Sequence, residues 1–194
     1  TLVTNTRQLD DGDWEVETAA GNIRCQHVVN AAGSYVDMVA KWVGIENVPM
    51  TNMKHRYVVT EPIKEIYERE KEMQVFRDPY PSSYYRQEQQ SMLIGIYETE
   101  NPQEAWAGSQ PRWEDSYELF DPSIEPILPW LERVMERVPL MENAGIKRVV
   151  NGAISHTPDG NPLLGPAPGL KNYWFCSGAS IGIAQGAGSG KYLA

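Results

Sequence analysis

The sequence is short of cysteine, of long apolar runs and of basic residues, and each shortage removes a class of protein. Cys25 and Cys176 are the only cysteines in 194 residues, and no C-x-x-C occurs. Neither a disulfide framework nor a zinc knuckle is available, and a reduced compartment is the default. No apolar run approaches the roughly 18–20 residues that span a bilayer, so no membrane partner is expected. Seventeen Lys+Arg against twenty-six Asp+Glu leave a net charge of −9, which argues against a nucleic-acid or anionic-membrane surface. The three histidines form no H-x-x-x-H or H-E-x-x-H pattern, and no metal site is expected. What remains, at 41% hydrophobic and 22% charged residues, is an ordinary globular chain about one domain in length. It opens without Met on a strand-like stretch and stops at Lys191-Tyr192-Leu193-Ala194 inside a helical pattern. A piece of a larger protein is the expectation.

Three styles of sequence follow one another. Residues 1–32 have a β-meander rhythm, with a turn cluster at Leu9–Asp13, period-two alternation over Trp14–Thr18 and a further strand at Ile23–Gln26. His27-Val28-Val29-Asn30-Ala31-Ala32-Gly33 then runs from an apolar strand into a small-residue turn, before a helix over Tyr35–Val43 with Gly44 as its cap. The middle differs. A strand at His55–Thr60, a charged helix over Ile63–Met73 and a hairpin of Ser83–Gln87 with Met92–Tyr97 precede a loop from Asn101 to Asp121. The strongest helical stripe covers Ile124–Val138, where Pro129 marks its start or kinks it. The end is glycine-punctuated: a strand at Ile146–Ala153, a Pro/Gly turn at Thr157–Pro162, a strand at Asn172–Cys176, and a small-residue helix.

The terminal glycines invite three readings. A phosphate loop fails, because Gln185 stands where the first Gly is needed and Tyr192 where Ser or Thr should follow Lys191. No strand-to-helix junction carries G-x-G-x-x-G. Gly178-Ala179-Ser180-Ile181-Gly182 does fit the G-x-S-x-G elbow of a serine hydrolase using Ser180. That fold needs a histidine downstream, and His27, His55 and His156 all lie upstream. The remaining reading is a helix start whose backbone amides press against a ligand. Among the histidines, His27 and His156 read as structural. His55 opens a strand between Lys54 and Arg56 in an otherwise acidic chain. Tyr84 and Tyr85 face opposite sides of their strand, one toward a core and one free to offer its hydroxyl.

Taken in order, Val28–Gly33, His55–Thr60, Ser83–Glu88, Val150-Asn151-Gly152, Thr157–Gly160 with Pro162 and Gly165-Pro166, and Asn172–Trp174 leading into Gly178–Gly190 resemble the D-amino-acid-oxidase-like FAD-dependent oxidoreductase family, nearest its dimethylglycine and sarcosine dehydrogenases. The resemblance covers essentially the whole chain. It implies an α/β fold with an α+β mixture: a partial Rossmann-like FAD-binding lobe at 1–45, an antiparallel-sheet substrate lobe at 46–145, and a return to the FAD lobe at 146–194. It implies hydride transfer from an N-methyl carbon to FAD, with the iminium hydrolysed to formaldehyde or captured by tetrahydrofolate. Electrons would pass to an electron-transfer flavoprotein or to oxygen. A catalytically inactive regulatory relative of the same fold is the alternative.

By the same resemblance, His55 and Tyr84 match the catalytic pair. Val3 matches a strand position against the adenine, and Tyr35 a flavin-contacting aromatic that is usually Trp. Ser180, Ile181, Gly182, Ile183, Ala184 and Gln185 match the loop near the isoalloxazine. The pyrophosphate loop, the histidine that carries covalent FAD and the folate domain have no counterpart here, so residues 1–194 alone are not expected to hold FAD. Location would be cytoplasmic in a bacterium and the mitochondrial matrix in a eukaryote.

Overall fold

The computed structural model describes residues 1–115 and 119–194. Its elements run β1 (Val3–Gln8), β2 (Trp14–Thr18), β3 (Ile23–Cys25), β4 (Val28–Asn30), a 3-10 turn at Gly33–Tyr35, α1 (Val36–Lys41), β5 (Thr51–Thr60), α2 (Lys64–Tyr67), β6 (Phe76–Asp78), β7 (Ser83–Glu88), β8 (Ser91–Ile96), α3 (Leu128–Arg137), β9 (Ile146–His156), β10 (Leu163–Pro166), β11 (Tyr173–Ser177) and α4 (Gly182–Leu193). This is the expected mixture of helix and antiparallel sheet. The chain folds as two compact units. One comprises Thr1–Asn52, Trp106–Trp113 and Ile154–Ala194, the other Met53–Ala105 and Glu114–Ala153.

In the first unit, β1-β2-β3 form an antiparallel meander, and a second sheet runs β10-β11-β4. Alternation along β2 sends Trp14 inward, where it is wholly buried with Val36, Ala40, Val48, Tyr173 and Phe175. Its ring lies 5.2 Å from that of Tyr173, and Nε1 donates to the Lys171 carbonyl at 3.0 Å. That bond satisfies the one polar atom a buried indole carries. β11 pairs antiparallel with β10 and parallel with β4, Phe175 standing opposite Asn30. The carboxyl ends of β4 and β11 therefore lie side by side, each running into a small-residue turn.

In the second unit the strand order is β6-β7-β8-β5-β9. The pleat sends Val58, Tyr85, Ile94 and Ile96 to one face, where they pack with Trp130, Leu131 and Val134 of α3. Pro129 sits in the first turn of α3, behind a 3-10 turn at Glu125–Ile127. It marks the start, since it needs no amide there.

Three differences from the sequence pattern stand out. The charged helix expected over Ile63–Met73 shrinks to Lys64–Tyr67. Only Ile63 and Ile66 are buried in that region, and one anchored turn does not sustain a longer helix in water. Two short strands, β6 and β10, lie too close to turn residues to show an alternating pattern. β9 also extends three residues past the expected Ala153.

Because Trp14 combines full burial with a satisfied indole, Trp14→Ala should cost about 3–5 kcal/mol. Urea unfolding followed by circular dichroism of the full-length protein measures it.

Candidate functional site

Strand register assembles the cluster in the second unit. Arg77 pairs with Tyr84, Tyr84 with Gly95, and Gly95 with Tyr57, so these four residues form one row on the sheet face away from α3. Two residues along, His55 and Tyr97 join the same face. His55 Nε2 lies 3.0 Å from Tyr84 Oη, with the two rings stacked at 5.7 Å. The Tyr97 ring is 5.3 Å from that of His55 and 5.5 Å from that of Tyr84. The Arg77 guanidinium lies over the Tyr97 ring, 4.6 Å from its centroid. Tyr85, as alternation requires, is fully buried on the opposite face.

Electrostatics keep the phenol intact. Burial pushes the Tyr84 hydroxyl up to about 12, Tyr97 and Tyr57 add to the shift, and Arg86 opposes it. At neutral pH Tyr84 is therefore a hydroxyl, able to donate to Nε2 of a neutral imidazole or to accept from a protonated Nε2. Behind this face, Arg56 Nη1 donates to Glu98 Oε1 at 2.5 Å and Nη2 to Gln103 Oε1 at 2.9 Å. Both ends of the ion pair are buried. Burial pushes the Glu98 carboxyl up, and Arg56 works against that shift. Arg56 follows His55 and Glu98 follows Tyr97, so the ion pair ties together the two chain segments that present those rings.

The other matched residues all belong to the first unit. Tyr35 ends the 3-10 turn after β4. Its ring stacks on Trp113 at 5.6 Å, and its hydroxyl donates to the Arg112 carbonyl at 3.3 Å. Ser180 to Gln185 form the turn into α4, with the Ala184 and Gln185 amides both bonded to the Ile181 carbonyl. Ile181 is 48% exposed. Both turns follow the adjacent carboxyl ends of β4 and β11. Buried Asn30 braces the first, donating to the Val36 carbonyl and accepting from the Ala32 amide. Gly178 shapes the second: its φ is +75°, and a Cβ would come 2.6 Å from Thr157 Cγ2. Val3 stands apart, half-buried on the β1-β2-β3 sheet. His27 accepts a hydrogen bond from Trp174 Nε1 at 3.1 Å. Burial holds His156 below the usual imidazole range.

In the first unit a parallel strand pair ends in two small-residue turns, the kind of strand end at which open α/β sheets receive ligands; the second unit carries its polar aromatic cluster on an antiparallel sheet. The family model of the FAD dependent oxidoreductases (DAO) matches residues 1–194, and the chain belongs to that family. It is 39% identical over 196 residues to the mitochondrial dimethylglycine dehydrogenase of Homo sapiens, covering 98% of this chain and 22% of that protein. To the human mitochondrial sarcosine dehydrogenase it is 37% identical, covering 92% and 19%. The chain thus spans about a fifth of the length of these curated relatives. Among solved structures, the L-proline dehydrogenase from P. horikoshii matches its fold with a TM-score of 0.78 at 23% identity, over 99% of this chain and 48% of that one. Family membership sets aside the hydrolase reading of Ser180.

The first unit fits a flavin on its donor chemistry. In the first turn of α4 the Ala184 amide bonds back to Ile181, while the helix itself offers no acceptor to the amides of Gly182 and Ile183. Such donors suit a carbonyl or anionic oxygen. Sequence reasoning missed Gly95, Tyr97 and Arg77. Tyr97 lies just beyond β8 and meets His55 only through the register, and Arg77 sits in a three-residue strand without periodicity.

The raised Tyr84 midpoint has a direct reading. An acid whose folded midpoint exceeds its unfolded one favours the folded state below about pH 10 and loses that contribution as pH rises toward 12. Difference absorbance at 295 nm between the wild type and Tyr84→Phe should show no Tyr84 phenolate until the pH passes the ordinary tyrosine range.

Proposed function

We propose that this chain is part of an FAD-dependent enzyme that oxidatively demethylates an N-methylated glycine, dimethylglycine or sarcosine. The observation that carries the reading is the hydrogen-bonded His55–Tyr84 pair at 3.0 Å, set against the Tyr97 ring on the sheet face away from α3. The names of the two similar dehydrogenases support the substrate class.

The turn Ser180–Gln185, with Tyr35 and Val3, would hold the flavin. FAD, when bound, supplies the two-electron acceptor that no side chain here can replace. The remaining work belongs to the protein. An ammonium nitrogen has no lone pair with which to push hydride from its methyl carbon, so the substrate must react as the free amine. His55, a base whose ordinary range lies near neutrality, takes that proton. Tyr84 holds the imidazole in orientation through Nε2. Arg77 has no carboxylate partner among the described residues, and its position over Tyr97 suits the substrate carboxylate.

In this reading the iminium product is hydrolysed to formaldehyde or passed to tetrahydrofolate. Electrons leave to an electron-transfer flavoprotein or to oxygen, and FAD is held covalently by a residue outside this chain. A eukaryotic form would work in the mitochondrial matrix, in keeping with its relatives' names, and a bacterial form in the cytoplasm. Among the described residues no helix is long and apolar enough to cross a membrane.

Anaerobic mixing of the flavin-loaded full-length protein with dimethylglycine, sarcosine, proline and betaine tests the proposal. One of the N-methylglycines should bleach the flavin fastest; bleaching by none of the secondary or tertiary amines overturns the reading. His55→Ala and Tyr84→Phe should each slow bleaching by about 10²–10⁴-fold without releasing FAD. Arg77→Ala should raise KM for the N-methylglycine by about 10–100-fold, the worth of a charge-assisted hydrogen bond. It should leave an N-methylamine lacking a carboxylate unaffected.

A further inference from the structure

Glycine weakens a strand, so Gly95, the penultimate residue of fully buried β8, requires a reason. The backbone does not supply one: Gly95 is not among the glycines with a left-handed φ. Its surroundings do. A Cβ built on Gly95 would collide with Cζ, Cε1 and Oη of Tyr84, its cross-strand partner. The Tyr84 ring therefore lies flat across the bare backbone of β8, and in that posture its hydroxyl comes within 3.0 Å of His55 Nε2.

We infer that Gly95 is a positioning residue for catalysis, the floor that lays the Tyr84 ring down toward His55. Direct cross-strand neighbours are the closest side chains in a sheet. A methyl group at position 95 must lift the ring, because the atoms it meets are the movable end of a side chain while the strand beneath is fixed on both sides. Lifting the ring by the width of a methyl exceeds what a hydrogen bond tolerates. The inference rests on the catalytic reading of His55 and Tyr84, and its test separates the two.

The test compares Gly95→Ala, Tyr84→Phe, Tyr84→Ala and the double variant Gly95→Ala/Tyr84→Ala in the flavin-loaded full-length protein. Gly95→Ala should keep its FAD and its melting temperature, yet slow anaerobic flavin reduction by about 10²-fold or more, as Tyr84→Phe does. In the Tyr84→Ala background, where no ring remains to lift, it should change the rate less than about twofold. Tyrosine titration gives a readout independent of turnover. Lifted from its floor, the Tyr84 phenol should ionise at lower pH in Gly95→Ala than in the wild type. An unslowed Gly95→Ala beside a slowed Tyr84→Phe, equal losses in both backgrounds, or an unmoved phenol midpoint each overturn the inference. If Tyr84→Phe alone leaves the rate intact, the catalytic reading fails, and the phenol midpoint still decides the placement. Should Gly95→Ala not fold, recovery of folding in the double variant supports the floor. Failure of both shows that Gly95 serves the strand alone and overturns it.

Discussion

The register of β7, β8 and β5 governs the second unit. Pairing of Tyr84 with Gly95 and of Gly95 with Tyr57 sends every second side chain to α3 and the rest to the opposite face. A slip of one residue would bury His55 against the helix and expose Arg56. Burial resists such a slip, because Tyr85, Ile94, Ile96 and Val58 fill the core beneath α3. The polar cluster inherits its precision from the apolar face behind it.

The Arg56–Glu98 ion pair adds a second lock at the same register. Removing one partner of such a pair typically costs about 3–5 kcal/mol, because the other charge is left buried and alone. A buried pair of this kind is weak evidence of net stability. It joins the strand carrying His55 to the segment carrying Tyr97. In the first unit the parallel pairing of β11 with β4 has the comparable role, since it sets the turn at Gly33–Tyr35 and the turn into α4 at one end of a sheet.

Much of this was legible in the residues. Alternation at Trp14–Thr18, the hairpin around Glu88–Ser91 and the strand entering Gly178 all rest on short-range chemistry and reappear in the fold, whereas the choice for Pro129 between a helix start and a kink is made only by the structure. The opposite facing of Tyr84 and Tyr85 follows from the pleat alone. The rest depends on who pairs with whom. Tyr97, Gly95 and Arg77 acquire meaning only once three strands are aligned, and none carries a local signal. The charged stretch after Ile63 misled because its pattern suits a helix, while too little of it is buried to hold one. His55 between two basic residues and Tyr84 opposite Tyr85 carry local signals of their own, while their pairing as a catalytic couple comes only from the family resemblance; in the fold the two lie within hydrogen-bond distance.

The central claim is that His55 and Tyr84 act as one unit on the substrate amine. Single-turnover flavin reduction by the preferred N-methylglycine in His55→Ala, Tyr84→Phe and the double variant measures it most directly. Residues that work as a unit lose their effect together, so the double variant should be no slower than the slower single variant. Losses that multiply would show two independent roles and contradict the account.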